Sequence, residues 1–158
     1  MTFAAPRPRL PARWALALAG AIAVALIASD ASALFIVNQP WVRPAGKAQT
    51  TYAYMNLTST DGARLLEARS DGARRVSLQR PRTPPDKGLA LPAGSEVALA
   101  PGHDHLTLTG LTRTLKIGDR VKITLVIRDD DGTVHEIPVN AEVRLRSPID
   151  DERRAHRH

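Results

Sequence analysis

The sequence predicts an all-β fold, a sandwich or a barrel, on three observations. Short stretches of alternating apolar and polar residues recur after residue 33, separated by turn residues about every 8–12 residues. An Asp-Gly pair joins the last two stretches, as in a tight hairpin. No segment after residue 33 has the apolar spacing of a convincing helix. We expect strands at Leu34–Val37, Tyr52–Thr58, Leu65–Ala68, Arg75–Gln79, Glu96–Leu99, His105–Thr109, Val121–Arg128 and Thr133–Val139.

The second of these strands has one of the clearest alternations in the chain. Ala53, Met55 and Leu57 share one face, while Tyr52, Tyr54 and Asn56 share the other. Because alternate residues of a strand point to opposite sides of the sheet, the apolar set is predicted to face the core. Met55 is therefore expected to be a core residue and not a metal ligand.

The segment Asp129–Gly132 (DDDG) predicts the turn of a hairpin. Asp-Gly readily takes the positive φ angles that two-residue hairpin turns require. A calcium site is the alternative, since three carboxylates stand in a row. The segment lacks the spaced ligands and the closing Glu of an EF-hand loop, so we expect a turn.

The N-terminal 33 residues have the three parts of a signal peptide. Met1–Arg13 is basic, Trp14–Ala28 is an uncharged apolar run of 15 residues, and Ala31–Ala33 supplies small residues for cleavage after Ala33. An uncleaved membrane anchor is the alternative, because Leu34–Val37 could extend the apolar run. Asp30 interrupts that run, however, and a bilayer span needs about 20 residues. We expect a signal peptide at 1–33, one domain at 34–149 and a disordered, charged tail at 150–158.

Composition limits the function further. The chain has no cysteine, so neither a disulfide framework nor a thiolate metal ligand can form. The net charge is +6, but the basic residues are scattered and aromatic residues are few. We therefore expect no nucleic-acid partner. No nucleophile elbow or other catalytic constellation is present in the sequence, and we expect no enzyme.

A histidine-containing strand is the best candidate for a metal site. In the segment Pro101–Leu111 (PGHDHLTLTGL), His103, His105 and Thr107 would share one strand face, while leucines at 106 and 108 face the core. Imidazole is a ligand that Cu(II) and Zn(II) both accept. The alternative is that both histidines are ordinary surface residues of a turn and a strand end.

Several segments, in this order, resemble the periplasmic copper chaperones of the PCu(A)C family. The resemblance covers about residues 36–139 and rests on Gln39–Pro44, Thr50–Thr58, Leu91–Ser95, His105–Leu111 and Leu115–Asp119. It implies a cupredoxin-like Greek-key β-sandwich located in the periplasm. It also implies Cu(I) binding by His and Met, a soft ligand set that suits a soft ion.

Compared with the family pattern, most of the implied ligands are absent. Gln79 stands where the family has its first His, the short loop Arg80–Lys87 contains no Met, and Thr107 replaces the Met of the His-x-Met motif. His105 matches the family's second His. His103 is additional to the pattern and is the second ligand that we expect.

The resemblance implies a copper chaperone that delivers copper to a respiratory oxidase site, with copper-receiving oxidase assembly proteins as partners. Its metal ligands would be His105 and His103, and it would meet a membrane only through the uncleaved signal peptide. The alternative is a metal-free periplasmic binding or adaptor domain that retains the fold without the copper site.

Overall fold

A computed structural model describes the protein over residues 34–81 and 88–156. The expected signal peptide, the end of the tail and most of the Arg80–Lys87 loop lie outside the described residues. Within the described ranges, no helix is both long enough and apolar enough to cross a bilayer.

Nine strands and one short helix make up the described chain, which confirms the all-β prediction. Their bounds are β1 (Phe35–Val42), β2 (Thr51–Ser59), β3 (Ala63–Ser70), β4 (Ala73–Gln79), β5 (Leu89–Leu91), β6 (Glu96–Leu99), β7 (His105–Leu111), β8 (Arg120–Asp129), β9 (Val134–Val143) and α1 (Pro148–Ala155). All eight predicted strands are present, most of them longer than predicted. The strand β5 was not predicted, because three residues are too few to establish an alternation.

The strands form one curled sheet in the order β4-β7-β2-β1-β9-β8-β3-β5, and β6 pairs with β2. Paired strands are antiparallel except β1 and β9, which run parallel through Trp41–Val42 and Glu142–Val143. This parallel contact joins the β4-β7-β2-β1 half of the sheet to the β9-β8-β3-β5 half. The curl lets the two halves enclose a single hydrophobic core.

The core contains the side chains that the strand alternation placed there. Ala53, Met55 and Leu57 of β2 are buried, and Met55 is only 2% exposed, as the sequence predicts. One residue of β2 departs from the alternation. Tyr54 is buried on the other face of the strand, because Trp41 of β1 packs over it with ring centroids 4.6 Å apart.

The hairpin prediction at Asp129–Gly132 is confirmed. The N–H of Gly132 donates to the carbonyl of Asp129 at 3.0 Å, and β8 pairs with β9 on either side of the turn. Gly132 has a φ of +93°, which is the reason that a glycine suits this position.

The C-terminal segment differs from the expected disordered tail, because Pro148–Ala155 forms α1. The Ser147 side chain caps the helix by accepting a hydrogen bond from the N–H of Ile149 at 3.3 Å. Acidic residues occupy the first turn and basic residues the last, an arrangement that the helix dipole favours. The helix has no buried residue, so no apolar stripe in the sequence indicated it.

Candidate metal site

The site lies where β4, β7 and β2 run side by side. His105 is the first residue of β7 and pairs with Gln79 of β4. Thr107 pairs with Ser77 of β4 on one side and with Tyr52 of β2 on the other. The three positions compared with the PCu(A)C ligands, 79, 105 and 107, are therefore neighbours on one part of the sheet.

Strand alternation orients these side chains as predicted from the sequence. The leucines at 106 and 108 are both 0% exposed and lie in the core, so His105 and Thr107 face away from it. They lie in an open groove of about 400 Å³. Its lining consists of Tyr52, Gln79, Arg80, Pro81, His105 and Thr107.

His103 does not share the strand face with His105, contrary to the expectation from the sequence. The strand β7 begins at His105, and His103 lies in the preceding turn, where its N–H donates to the carbonyl of Ala100 at 3.0 Å. The His103 side chain lines a different groove, together with Pro81, Ala98, Gly102 and Asp104. The two imidazoles are thus not presented together on one strand face.

His103 nevertheless contributes to the site through its backbone. Its carbonyl oxygen lies 2.7 Å from Nδ1 of His105. Since a carbonyl can only accept, Nδ1 of His105 must be the donor, and in the neutral ring Nε2 then carries the lone pair. A hydrogen bond of this kind orients the histidine ligand of many metal sites.

Aromatic rings surround His105 on the β2 side. The Tyr52 ring meets the His105 ring edge-on, with centroids 5.3 Å apart, and the Tyr54 ring lies at 6.2 Å. Burial raises the pKa of Tyr54, although the neighbouring Arg43 lowers it in part. The Tyr54 hydroxyl is therefore protonated at neutral pH.

Arg80 lies in the groove with His105, which the sequence did not predict. Its side chain is 12% exposed and lines the same groove as His105, with Nε 3.5 Å from a carboxylate oxygen of Asp104. Its Nη1 donates to the carbonyl of Gly88. Gly88 and Asp104 come together with Arg80 only when the chain folds, so no local pattern could indicate that this arginine lies at the groove.

The other two histidines among the described residues lie elsewhere in the structure. Nε2 of His135 donates to a carboxylate oxygen of Asp129 at 2.7 Å, and the ring packs against Phe35, so His135 is half-buried. His156 caps the end of α1. Throughout residues 34–81 and 88–156, no three His, Cys, Asp or Glu side chains lie close enough together to hold a metal ion.

Comparisons with known proteins identify the family and the fold. Residues 36–139 match the family model described as "LpqE-like: Putative lipoprotein LpqE-like". A protein of Leifsonia xyli subsp. xyli named as a putative lipoprotein is 30% identical over 112 residues, which cover 65% of this chain and 68% of that protein.

The similar solved structures include two copper-bound proteins. The copper-bound PCuAC domain from PmoF2 is 25% identical, with a TM-score of 0.58 over 70% of this chain and 92% of that domain. The Cu(I)-bound solution structure of DR1885 from Deinococcus radiodurans is 29% identical, with a TM-score of 0.54 over 73% of this chain and 83% of that one. The structural relation to PCuAC domains that the sequence motifs predict is thereby confirmed. The chain belongs to the LpqE-like family and has the cupredoxin-like β fold of PCuAC domains.

Proposed function

We propose that the protein is an exported copper-handling protein that binds copper at His105. This proposal rests on the tautomer and the position of that imidazole. The His103 carbonyl holds Nδ1, so the lone pair is on Nε2, and the ring lies in a groove where a metal ion can approach it. The similarity to copper-bound domains at 25% and 29% identity supports the same ligand class.

The available ligands favour Cu(II) over Cu(I). Thr107 and Gln79 offer oxygen and nitrogen atoms in place of the thioether and imidazole that the family pattern implies. Met55, the one methionine among the described residues, is enclosed in the core. Cu(I) requires soft ligands for tight binding, whereas Cu(II) accepts imidazole and oxygen. We therefore propose that most of the family's Cu(I) ligands have been lost from this chain.

The same similarity supports a proposal for the cellular role. We propose that the chain is cleaved after Ala33, acts in the periplasm, and passes copper by ligand exchange to the assembly proteins of a respiratory oxidase. Membership of a family named for lipoproteins supports export. The 158 residues contain no cysteine, so a lipid joined through a cysteine thioether has no attachment atom within them. No enzymatic activity is part of this proposal.

A metal-free binding or adaptor domain is the second candidate. Two observations favour it: Arg80 places a cation in the groove with His105, and a cluster of three metal-ligating side chains is missing from the described ranges. A cation beside a single imidazole weakens the binding of a bare metal ion. The two candidates therefore differ in whether copper binds at all.

Copper titration tests the proposal. The mature chain, starting at Leu34, should bind Cu(II) in competition with a chelator of known affinity, and His105→Asn should abolish that binding. His156→Asn, which removes an exposed histidine of the tail, serves as the matched control and should bind as the parent does. Binding no tighter than about 1 μM for both Cu(I) and Cu(II) would rule out a copper carrier.

A gain-of-function variant separates the two candidates. Gln79→His and Thr107→Met together restore an imidazole and a thioether beside His105, because positions 79 and 105 are cross-strand partners. We expect Cu(I) affinity to rise at least about tenfold, which corresponds to 1.4 kcal/mol. If the parent already binds Cu(I) as tightly as this variant does, the metal-free candidate is wrong.

A further inference from the structure

We propose that one end of the β-sandwich binds the surface of an anionic phospholipid bilayer. This end, the loop tip, consists of the three loops at residues 43–50, 112–119 and 144–147. In the bound protein, the apolar side chains of Ile117 and Leu145 lie between the lipid headgroups, and basic side chains of the same loops contact lipid phosphates. The resemblance to copper chaperones implies a membrane contact through the signal peptide alone, so the loop tip is an additional membrane surface that needs no copper.

Backbone hydrogen bonds hold the three loops together as one surface. An antiparallel bridge between Ala45 and Leu115 joins the first loop to the second. The N–H of Gly118 donates to the carbonyl of Val143 at 2.9 Å, which places the second loop beside the start of the third. The two apolar side chains of the loop tip therefore stand on adjoining loops.

The loop tip carries the two most exposed large apolar side chains of the described chain. Leu145 is 64% exposed and Ile117 is 62% exposed. One exposed leucine on a protein surface is ordinary, but two such side chains on adjoining loops form an apolar patch, which is typical of a contact surface. At a bilayer, such a patch gains free energy by leaving water for the boundary between headgroups and acyl chains.

The three loops are also strongly basic. They contain six Lys and Arg residues and one acidic residue, a formal charge of +5 within 20 residues, whereas the whole chain carries +6. The one carboxylate, that of Asp119, accepts from Arg113 at 2.8 Å. Arg144 is offset by its neighbours Glu142 and Asp151, each at 3.5 Å. The loop tip therefore has excess positive charge, which attracts an anionic partner.

Three of the cations are available to a ligand, namely Lys47, Lys116 and Arg146. All three are exposed, and in the described part of the chain none of them forms an ion pair with a carboxylate. Lys116 and Arg146 are the chain neighbours of the two apolar residues. A bilayer with anionic headgroups presents a negative surface with an apolar layer about 5–10 Å beneath it, so it matches both parts of the loop tip.

The loop tip lies away from the candidate metal site. It adjoins Leu111, the last residue of β7, whereas His105 is the first residue, and seven extended residues span about 20 Å. Residues 1–33 and 82–87, which are outside the described ranges, join the described chain before β1 and after β4. The last residue of β4, Gln79, pairs with His105 and so lies at the other end of β7. Binding of a bilayer at the loop tip therefore leaves the groove of His105 open.

Vesicle flotation with the mature chain, starting at Leu34, tests the inference. The probes are vesicles of phosphatidylcholine alone and vesicles in which about one-third of the lipid is phosphatidylglycerol. We expect at least about tenfold tighter binding to the anionic vesicles at low salt. Added salt should weaken this binding, because it screens exposed charges.

A double variant tests the apolar contact. Ile117→Ser with Leu145→Ser should weaken binding to anionic vesicles at least about tenfold. The matched control, Leu66→Ser with Val134→Ser, removes two exposed apolar side chains of β3 and β9 and should bind as the parent does. All four residues are exposed, and Trp41 fluorescence verifies that each variant is folded.

A triple variant tests the role of the cations. Replacing the three unpaired cations of the loop tip by Gln should weaken binding to anionic vesicles at least about tenfold. The matched control makes the same change in net charge at exposed positions outside the loop tip and should weaken it much less. This control consists of Arg75→Gln, Lys122→Gln and Arg128→Gln.

Each other outcome overturns the inference in a distinct way. Equal weakening by the two triple variants would show that net charge, and not the loop tip, drives binding. Equal binding to neutral and anionic vesicles would refute the role of the cations, and an unchanged affinity of the apolar double variant would refute insertion. Absence of binding to both kinds of vesicle would refute the bilayer and favour an acidic protein as the partner. His105→Asn should bind vesicles as the parent does, so this test and the copper titration fail independently.

Discussion

At the scale of single residues, Asp119 illustrates how local hydrogen bonds set the charge of an exposed carboxylate. The N–H of Lys116 donates to Oδ2 of Asp119 at 2.9 Å, and Nη1 of Arg113 donates to the same oxygen at 2.8 Å. The backbone donor is the larger cause and the arginine the second, and together they hold the pKa of Asp119 below its ordinary value. All three residues lie in the loop between β7 and β8.

The pH dependence of this contribution has a definite sign. Because the pKa is lower in the folded protein, the stabilisation is present above the ordinary Asp pKa of about 3.9 and is lost as the pH falls through the folded-state pKa. Asp119→Asn should therefore be less stable than the parent at pH 7, and the difference should shrink below about pH 4. Urea unfolding midpoints at several pH values measure it, with Asp71→Asn in an exposed turn as the control. A difference that did not vary with pH would contradict this account.

Some features of single residues in the candidate site could be predicted from the sequence. The facing of His105 and the burial of Met55 followed from strand alternation, which is a local property of the sequence. The position of the His103 ring could not be predicted from strand alternation, because it depends on where the turn ends and β7 begins. The position of Arg80 in the groove could not be predicted either, because its contacts with Gly88 and Asp104 form only in the folded chain.

At the scale of elements, the β8–β9 hairpin depends on one backbone conformation. Gly132 has a φ of +93°, and a Cβ at that position would meet no atom within 4 Å. Any cost of a side chain here is therefore conformational strain and not a steric clash with neighbours. The Asp-Gly pattern predicted this turn correctly because the requirement for positive φ is local.

Gly132→Ala should lower the free energy of unfolding by about 1–3 kcal/mol, because alanine is strained at this φ. Gly72→Ala is the matched control, since its φ lies outside the positive region and its nearest neighbour would be at ordinary contact distance, 3.4 Å. Denaturant unfolding of both variants measures the difference. Equal losses in the two variants would show that strain at Gly132 is not the cause.

The helix α1 could not be predicted from the sequence pattern. Its residues are mostly charged, and none is buried, so the sequence resembles a solvated tail. The sequence features typical of a helix are at its N-terminus, where Ser147 is the cap and Pro148 is the first helical residue. A cap and a proline are weak signals without an apolar stripe, and a helix of eight residues is too short to be stable from helix propensity alone.

At the scale of the whole molecule, one core joins both halves of the sheet. Leu108 of β7 is fully buried in the same cluster as Ile123 and Leu125 of β8. A single shared core without disulfides predicts a single cooperative unfolding transition. The composition of that core could be predicted from the strand alternation. The closure of the sheet could not, because the pairing of β1 with β9 is formed by residues at opposite ends of the domain.

Leu108→Ala should destabilise the whole domain by about 2–5 kcal/mol, the usual cost of a cavity in a packed core. Leu145→Ala removes an exposed leucine and should change the stability by less than about 0.5 kcal/mol. Urea unfolding followed by Trp41 fluorescence and by circular dichroism measures both variants. Two separate transitions, or a loss confined to one probe, would contradict the single core.

The parallel contact between β1 and β9 also bears on how the chain folds. Trp41 pairs with Glu142, so the sheet closes only when the last strand is available. A topology with such distant pairings has a high contact order and folds slowly, since the entropy of a long loop is lost before its contacts form. We therefore expect the closed domain to form during synthesis only after β9 has emerged. Such a delay suits the proposed export, because a polypeptide that is threaded through a membrane must fold on the far side.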